Sequence, residues 1–469
     1  MGNRSTLMIT EDGDMSVFGN NDVGQLGLGH QDYIIHPRLI DKVVFGGDDI
    51  VMASAGALHS GCVTSTGSLW MWGDCIHGQL GIPQEHMLLA TTQPVPQQVF
   101  AQSPVLMVAC GNNHTILLTR AKHVWSCGVG DDGQLGHNDT EPRHTFTQID
   151  PQFFGGGASV GMIAAGYWHS MALSTAGDML WTWGKNKCGQ LGHRDGEDKL
   201  IPTAISAATF GNVAVVSMDG GSEHTLVVRA DSSLWGCGSD EYGELGLNED
   251  PNKVVAVVPT LQRVTGTEFA DRHGVLMAAC GNFHSVVLAK NYTVWVCGVV
   301  SNLSFINAII GCTRSLTLID QAHFAGNKIC LVAAGNDSCG AVTEDGNVIV
   351  WGPDDHPVGG NEGIKRRDIM DIDPVTDDLR TTYVMAVPMV ALVNNGPMYL
   401  RVRIGRWHDL RLEHAIAFTM MFHGRLGANA SIYKNDFPQD LLRSMFDNMH
   451  LQPRLGTPHG LHNMIGRRP

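Results

Sequence analysis

The chain has 469 residues, 43% apolar and 16% charged, with 31 Lys and Arg against 46 Asp and Glu for a formal charge of −15. That apolar content supports a large packed core, and the lack of any 18-residue apolar run excludes a membrane-spanning helix. So acidic a chain repels phosphate backbones and favours basic partners.

The opening, MGNRSTLMITEDG, lacks the apolar stretch of a secretory leader. Gly2 and Thr6 have the spacing of an N-myristoylation motif, read here as coincidence because Leu7–Thr10 already reads as strand. Residues 4–18, RSTLMITEDGDMSVF, match the second and third strands of a longer unit whose first strand is missing.

The full unit is clearest at 160–192, VGMIAAGYWHSMALSTAGDMLWTWGKNKCGQLG: strand, tight turn, strand, Gly-containing turn, strand, glycine-bracketed loop. Copies stand at 53–81, 108–136 and 218–246. The glycine ending the third strand falls at Gly19, Gly73, Gly128, Gly184, Gly238, Gly298 and Gly352, at intervals of 54, 55, 56, 54, 60 and 54. This period exceeds the ~40–45 residues of a WD40 blade and lies near the ~50 of kelch, whose paired Gly-Gly and Tyr…Trp pattern is absent.

The shared pattern of aliphatic-Ala-Ala-Gly, His-Ser/Thr, Trp-Gly and Gly-Gln-Leu-Gly resembles the regulator of chromosome condensation repeat over residues 4–405. The resemblance implies an all-β, seven-bladed β-propeller of four-stranded blades, closed by strands from both termini. Residues 383–393, YVMAVPMVALV, resemble a first and second strand without glycine or histidine. Both ends thus offer a second strand for the closing blade, and the sequence does not choose between them.

Within each copy the chemistry reads as structural. Eight of the ten tryptophans lie one or three residues before a strand-ending glycine, which predicts Trp72, Trp183 and Trp351 buried between blades. His59, His114, His169, His224 and His284 each follow the first-strand glycine by three residues, with Ser338 in the seventh copy. They read as turn-capping hydrogen bonds, since neighbours a blade apart are too distant for metal bonds of ~2 Å. Cys127, Cys237 and Cys297 stand where other copies have Phe or Trp, and read as core residues. Eleven cysteines without CxxC or zinc spacing point to a reducing, intracellular compartment, cytoplasmic or nuclear. With no Gly-x-Ser-x-Gly, His-Glu-x-x-His or P-loop, no catalytic, cofactor or metal residue is assigned.

Acidic residues crowd the loops after the third strands: Asp131, Asp132, Asp195, Glu197, Asp198, Asp240, Glu241, Glu244, Asp354 and Asp355. These loops leave the same end of every blade, which predicts an acidic rim for a basic protein partner. Asp131, Asp132, Asp195, Asp198, Asp240, Glu241, Asp354 and Asp355 are the candidate contacts.

After Gly405 the composition changes, so the chain divides into a propeller, 1–405, and a helical extension with a tail, 406–469. Asp409 reads as the cap of a helix LRLEHAIAFTMMFHGRL, and Asp436 with Pro438 opens a second, DFPQDLLRSMFDNMH. FPQDLLRSMF also resembles the opening helix of an F-box. The last 64 residues carry a net +3, leaving the propeller with 23 basic and 41 acidic residues. Direct nucleic-acid contact is therefore expected only through the tail.

The family contains an exchange factor for the small GTPase Ran, a plant ultraviolet-B photoreceptor and many interaction platforms. Exchange there depends on an inserted β-hairpin wedge, which no copy here shows; photoreception depends on clustered tryptophans, whereas GYWHS at 166–170 offers one. The reading is a non-catalytic, intracellular protein-interaction scaffold without cofactors. Its alternatives are a virion or genome-associated protein of a large DNA virus, which AIAFTMMFHGRLG weakly resembles, a guanine nucleotide exchange factor, and an F-box-type ubiquitin-ligase adaptor.

Overall fold

A computed structural model describes residue 2 and residues 5–351 apart from 84–90, 157–158, 207–208, 210, 248–255, 265–273, 300–311, 325 and 345. Beyond these it describes strands Tyr383–Val384, Val390–Val393, Gly396–Arg403 and Ala417–Phe422. The repeats form seven antiparallel blades, each a meander from the central channel outward and, in blades 2 to 7, in sequence order. Blades 2 to 6 span 50–100, 105–148, 160–206, 215–263 and 275–318, four strands each. Blade 7 has three strands among the described residues, Ile329–Ala334, Cys339–Thr343 and Val348–Trp351.

Blade 1 settles how the ring closes. The N-terminus supplies the second, third and fourth strands, Ser5–Thr10, Met15–Gly19 and Ile34–Ile40. The first strand is Tyr383–Val384, pairing antiparallel with Thr10 and Ile9. The turn glycine of this blade is Gly2, whose N–H bonds the Ser5 carbonyl at 2.9 Å as Gly56 bonds that of His59 at 2.8 Å. Gly2 is buried in that role, so the coincidental myristoylation spacing has a structural origin. Blades 7 and 1 then pack through Met8, Phe18, Ala333, Val342 and Val348.

In blades 1 to 6 a glycine stands at or next to the end of the third strand, where the chain bulges. Gly73, Gly128, Gly184 and Gly238 have φ of 107°, 108°, 102° and 113°, values that side chains rarely adopt. The register to the fourth strand slips at the same point. Trp72 and Trp183 are completely buried and Trp351 is 7% exposed, as expected.

A second wedge accompanies them. After the fourth strands of blades 1, 3 and 6, single 3-10 turns at Lys42–Phe45, Pro151–Phe154 and Gln321–Phe324 bury Phe45, Phe154 and Phe324. Phe154 meets Trp181 and Trp183 edge-on, with ring centroids 5.5 and 6.1 Å apart. Asp41 and Asp150 cap the first two turns by accepting from Val43 and Gln152 N–H.

The helix expected after Asp409 does not run through Ala417–Phe422, which pairs as a strand with Gly396–Arg403 in a separate three-stranded sheet. An unbroken apolar run such as AIAFTMMF carries no period to separate strand from helix, and pairing satisfies its backbone. The helix expected over 436–449 lies outside the described residues. Among those residues no helix is long and apolar enough to cross a membrane.

Candidate functional site

The turns between first and second strands and the loops after third strands leave one face of the ring, the loop face. Its inner circle is a belt of interlocked turns. A Cβ on Gly166 would lie 2.2 Å from His169 Cε1 and 2.7 Å from the Gly221 carbonyl of the next blade. Glycine thus lets its own histidine tuck under the turn while the next blade closes over it. Turn N–H groups bond onward from blade to blade, Ala57 to Gly111, Tyr167 to Gly221, Asn282 to Asn336 and Asn336 to Gly2. These first strands, with Gly2, line a central cavity of about 210 Å³.

The histidines do not cap their own turns, as expected from sequence, but reach the next blade. Nε2 of His59, His114, His169 and His224 lies 2.8, 3.0, 2.8 and 3.0 Å from the hydroxyls of Thr115, Ser170, Thr225 and Ser285. Each hydroxyl donates its one proton back to the loop carbonyl of Gln79, Gln134, Gln190 or Glu244, at 2.7–2.8 Å. Nε2 must therefore be the donor, which fixes the neutral Nε2–H tautomer. Burial agrees, pushing His59, His169 and His224 down to about 3 and His114 and His284 to about 4. The relay stops at blade 7, where Cys339 replaces the hydroxyl and His284 Nε2 has no partner.

The same loop carbonyls hold the third strand. Trp72 and Trp183 donate their indole N–H to Gln25 and Gln134 at 2.8 and 2.9 Å. Cys127, Cys237 and Cys297 donate S–H to Gln79, Gln190 and Glu244 at 3.5, 3.4 and 3.2 Å. Cysteine thus replaces tryptophan as a donor as well as a core filler. The loop leucines Leu26, Leu80, Leu135, Leu191 and Leu245 are buried plugs.

The candidate acids separate by environment. Asp195 pairs with Lys199 at 2.9 Å, and Asp198 pairs with Lys187 at 3.5 Å while accepting from Asn186 N–H. Asp240 is fully buried and accepts from Leu245 N–H, the place filled by Asn21 and Asn186 in other blades. Burial raises Asp240 to about 7 and also raises its neighbour Glu244, which stands where other loops have Gln. Asp131 and Glu241 are exposed, Asp132 is half-buried, and none of the three forms an ion pair among the described residues. Asp354 and Asp355 lie outside those residues.

Residues 1–307 match the family model described as the RCC1-like domain. This chain belongs to the RCC1-like domain family. It is 30% identical over 359 residues to the human E3 ubiquitin-protein ligase HERC2, covering 75% of this chain and 7% of the ligase. It is 30% identical over 366 residues to the ultraviolet-B receptor UVR8 of Arabidopsis thaliana, covering 66% of this chain and 79% of the receptor. Among solved structures, Prp20p of Saccharomyces cerevisiae superposes with a TM-score of 0.61 at 23% identity, covering 72% of this chain and 79% of that one. Human WBSCR16 gives 0.62 at 21%, covering 72% and 88%. These structures speak for the fold alone.

On the RCC1-like loop face, sequence reasoning missed an aromatic arc in the first turns and third loops. Tyr167 and Trp168 meet edge-on with centroids 5.0 Å apart, as do Tyr242 and Phe283 at 5.6 Å. Lys185 Nζ lies 5.6 Å from the Trp168 ring and 2.9 Å from Glu223, which also accepts from the Cys188 thiol at 3.3 Å. The signal was available at the two residues between turn glycine and histidine: Tyr-Trp and Asn-Phe in blades 4 and 6, Asn-Asn in blade 3.

Proposed function

We propose that this RCC1-like propeller is a non-catalytic, intracellular platform that holds a basic segment of a protein partner on its loop face. The observation that carries the reading is that exposed Asp131 and Glu241 and half-buried Asp132 form no ion pair among the described residues, while Asp195, Asp198 and Glu223 are already paired. Asp131, Asp132 and Glu241 make the contacts; Asp195, Asp198 and Asp240 shape the loops. Catalysis finds no support in the repeat histidines: burial holds all five neutral, and Nε2 of His59, His114, His169 and His224 is committed as a donor. The ligase activity named for HERC2 stays with that protein, since this chain spans 7% of it. Prp20p is described through its binding to Gsp1p and histones, which favours the platform reading by analogy of fold.

Pull-down from the native source with wild type and an Asp131→Lys/Glu241→Lys variant, followed by mass spectrometry, tests the platform. Basic partners recovered by wild type and lost by the variant are expected. Unchanged recovery by the variant, or partners that are acidic throughout, would overturn it.

A further inference from the structure

Among the described residues the loop face holds a completed cation site and, one junction further round, a second edge-on ring pair with no cation over it. In the completed site, at the junction of blades 4 and 5, the edge-on pair Tyr167 and Trp168 offers the Trp168 ring to Lys185 Nζ at 5.6 Å, and Glu223 holds that ammonium at 2.9 Å. One junction further round, Tyr242 of the blade 5 loop and Phe283 of the blade 6 turn form a second edge-on pair, 38% and 36% exposed. Glu241, adjacent in sequence to Tyr242, is exposed and forms no ion pair among the described residues, and no Lys or Arg among them stands over either ring.

We propose that Tyr242, Phe283 and Glu241 receive an arginine side chain from the basic partner. This rests on the platform reading above and specifies its centre. A planar guanidinium can lie on an aromatic face while its fork of N–H groups pairs with a carboxylate, which a compact, strongly hydrated ammonium does less well. The ring pair is already mutually ordered, so little side-chain freedom is lost on binding.

Fluorescence anisotropy with labelled Gly-Arg and Gly-Lys octapeptides tests the site on the full chain. The Gly-Arg peptide should bind about threefold or more tightly than Gly-Lys. Phe283→Ala should weaken Gly-Arg about fivefold while changing Gly-Lys less than about twofold, and Glu241→Gln should weaken both. Melting temperature confirms folding, and Phe283→Leu, which keeps apolar bulk without a ring face, should reproduce the loss if Phe283→Ala unfolds. Equal binding of the two peptides, insensitive to Phe283, overturns the arginine site and leaves the charge-based platform standing. No binding of either peptide overturns both. Tighter binding of octathymidylate assigns the rings to nucleic-acid bases, and a dimer lost in Phe283→Ala assigns them to a second copy; either result overturns the proposal.

Discussion

Five buried, neutral histidines, four of them spent as donors to the next blade, tie the ring to pH. Unfolded, each takes a proton near 6.5; folded, not until about 3 for His59, His169 and His224 and about 4 for His114 and His284. Below pH 6.5 the unfolded chain therefore binds more protons, and each histidine removes about 1.4 kcal/mol of stability per pH unit until its folded value is reached. Asp219 and Asp240 act in the opposite sense, because burial raises them to about 6 and about 7, so the fold gains protons as pH falls toward their unfolded values near 4. Five outweigh two. The melting temperature should fall steadily from pH 6.5 to 4.5, and a flat trace over that interval would remove the relay from the account. The same reasoning marks Asp240 and Glu244 as costly at neutral pH. Asp240→Asn with Glu244→Gln restores the amides of blades 1 and 4, and should stabilise by about 1–2 kcal/mol at pH 8. Thermal melts should show that gain shrinking toward pH 5; a gain independent of pH would mean that ionisation is not its source.

Among the elements, the third strand and the loop after it are where blades are fastened together. Removing the Trp183 ring leaves a cavity beside Phe154 and takes one of two donors from the Gln134 carbonyl, so Trp183→Ala should cost about 3–5 kcal/mol in urea unfolding. An unchanged midpoint would show that the ring contributes little to the interface. Whatever recurs within one copy was legible in the sequence: the strand-ending glycines, the buried tryptophans, the leucine plugs. The relay was not, because the hydroxyl partner of His59 lies 56 residues on, in another blade. The phenylalanine wedges share the pattern Asp-x-x-x-Phe-x-Gly at 41–47, 150–156 and 320–326, which lies between the repeats and not within them. Strand Ala417–Phe422 lies inside LRLEHAIAFTMMFHGRL, which reads as helix, because a short apolar run fits either period. The acids of the loop face were found by composition, yet only position distinguishes exposed Glu241 from buried Asp240, its neighbour in the chain.

For the whole molecule, charge and repeat regularity set what the ring can bind. With 23 basic and 41 acidic residues in 1–405, duplex DNA should bind weakly and with a steep salt dependence. Titration of labelled duplex at 50 and 200 mM salt measures this, and submicromolar affinity surviving deletion of 406–469 would reveal a basic face that outweighs the net charge. Nucleotide exchange is the other family activity to examine. No copy carries an insertion long enough to read as a wedge, so release of labelled GDP from a Ran-type GTPase should be unaffected in stopped flow. Acceleration above about tenfold at micromolar protein would reassign the loop face to a GTPase.

The mixed parentage of blade 1 also sets an order of events during synthesis. Blades 2 to 6 are continuous stretches of chain and can stack one upon another as they leave the ribosome, N-terminal first. Gly2 cannot accept from Asn336 until blade 7 exists, and Ser5–Thr10 has no inner neighbour until Tyr383 has been made. For most of translation the nascent protein is therefore an open arc with an unpaired strand at its leading end, the kind of edge that recruits other chains. Closure joins residues more than 370 positions apart, and contacts of such sequence separation form slowly as a rule.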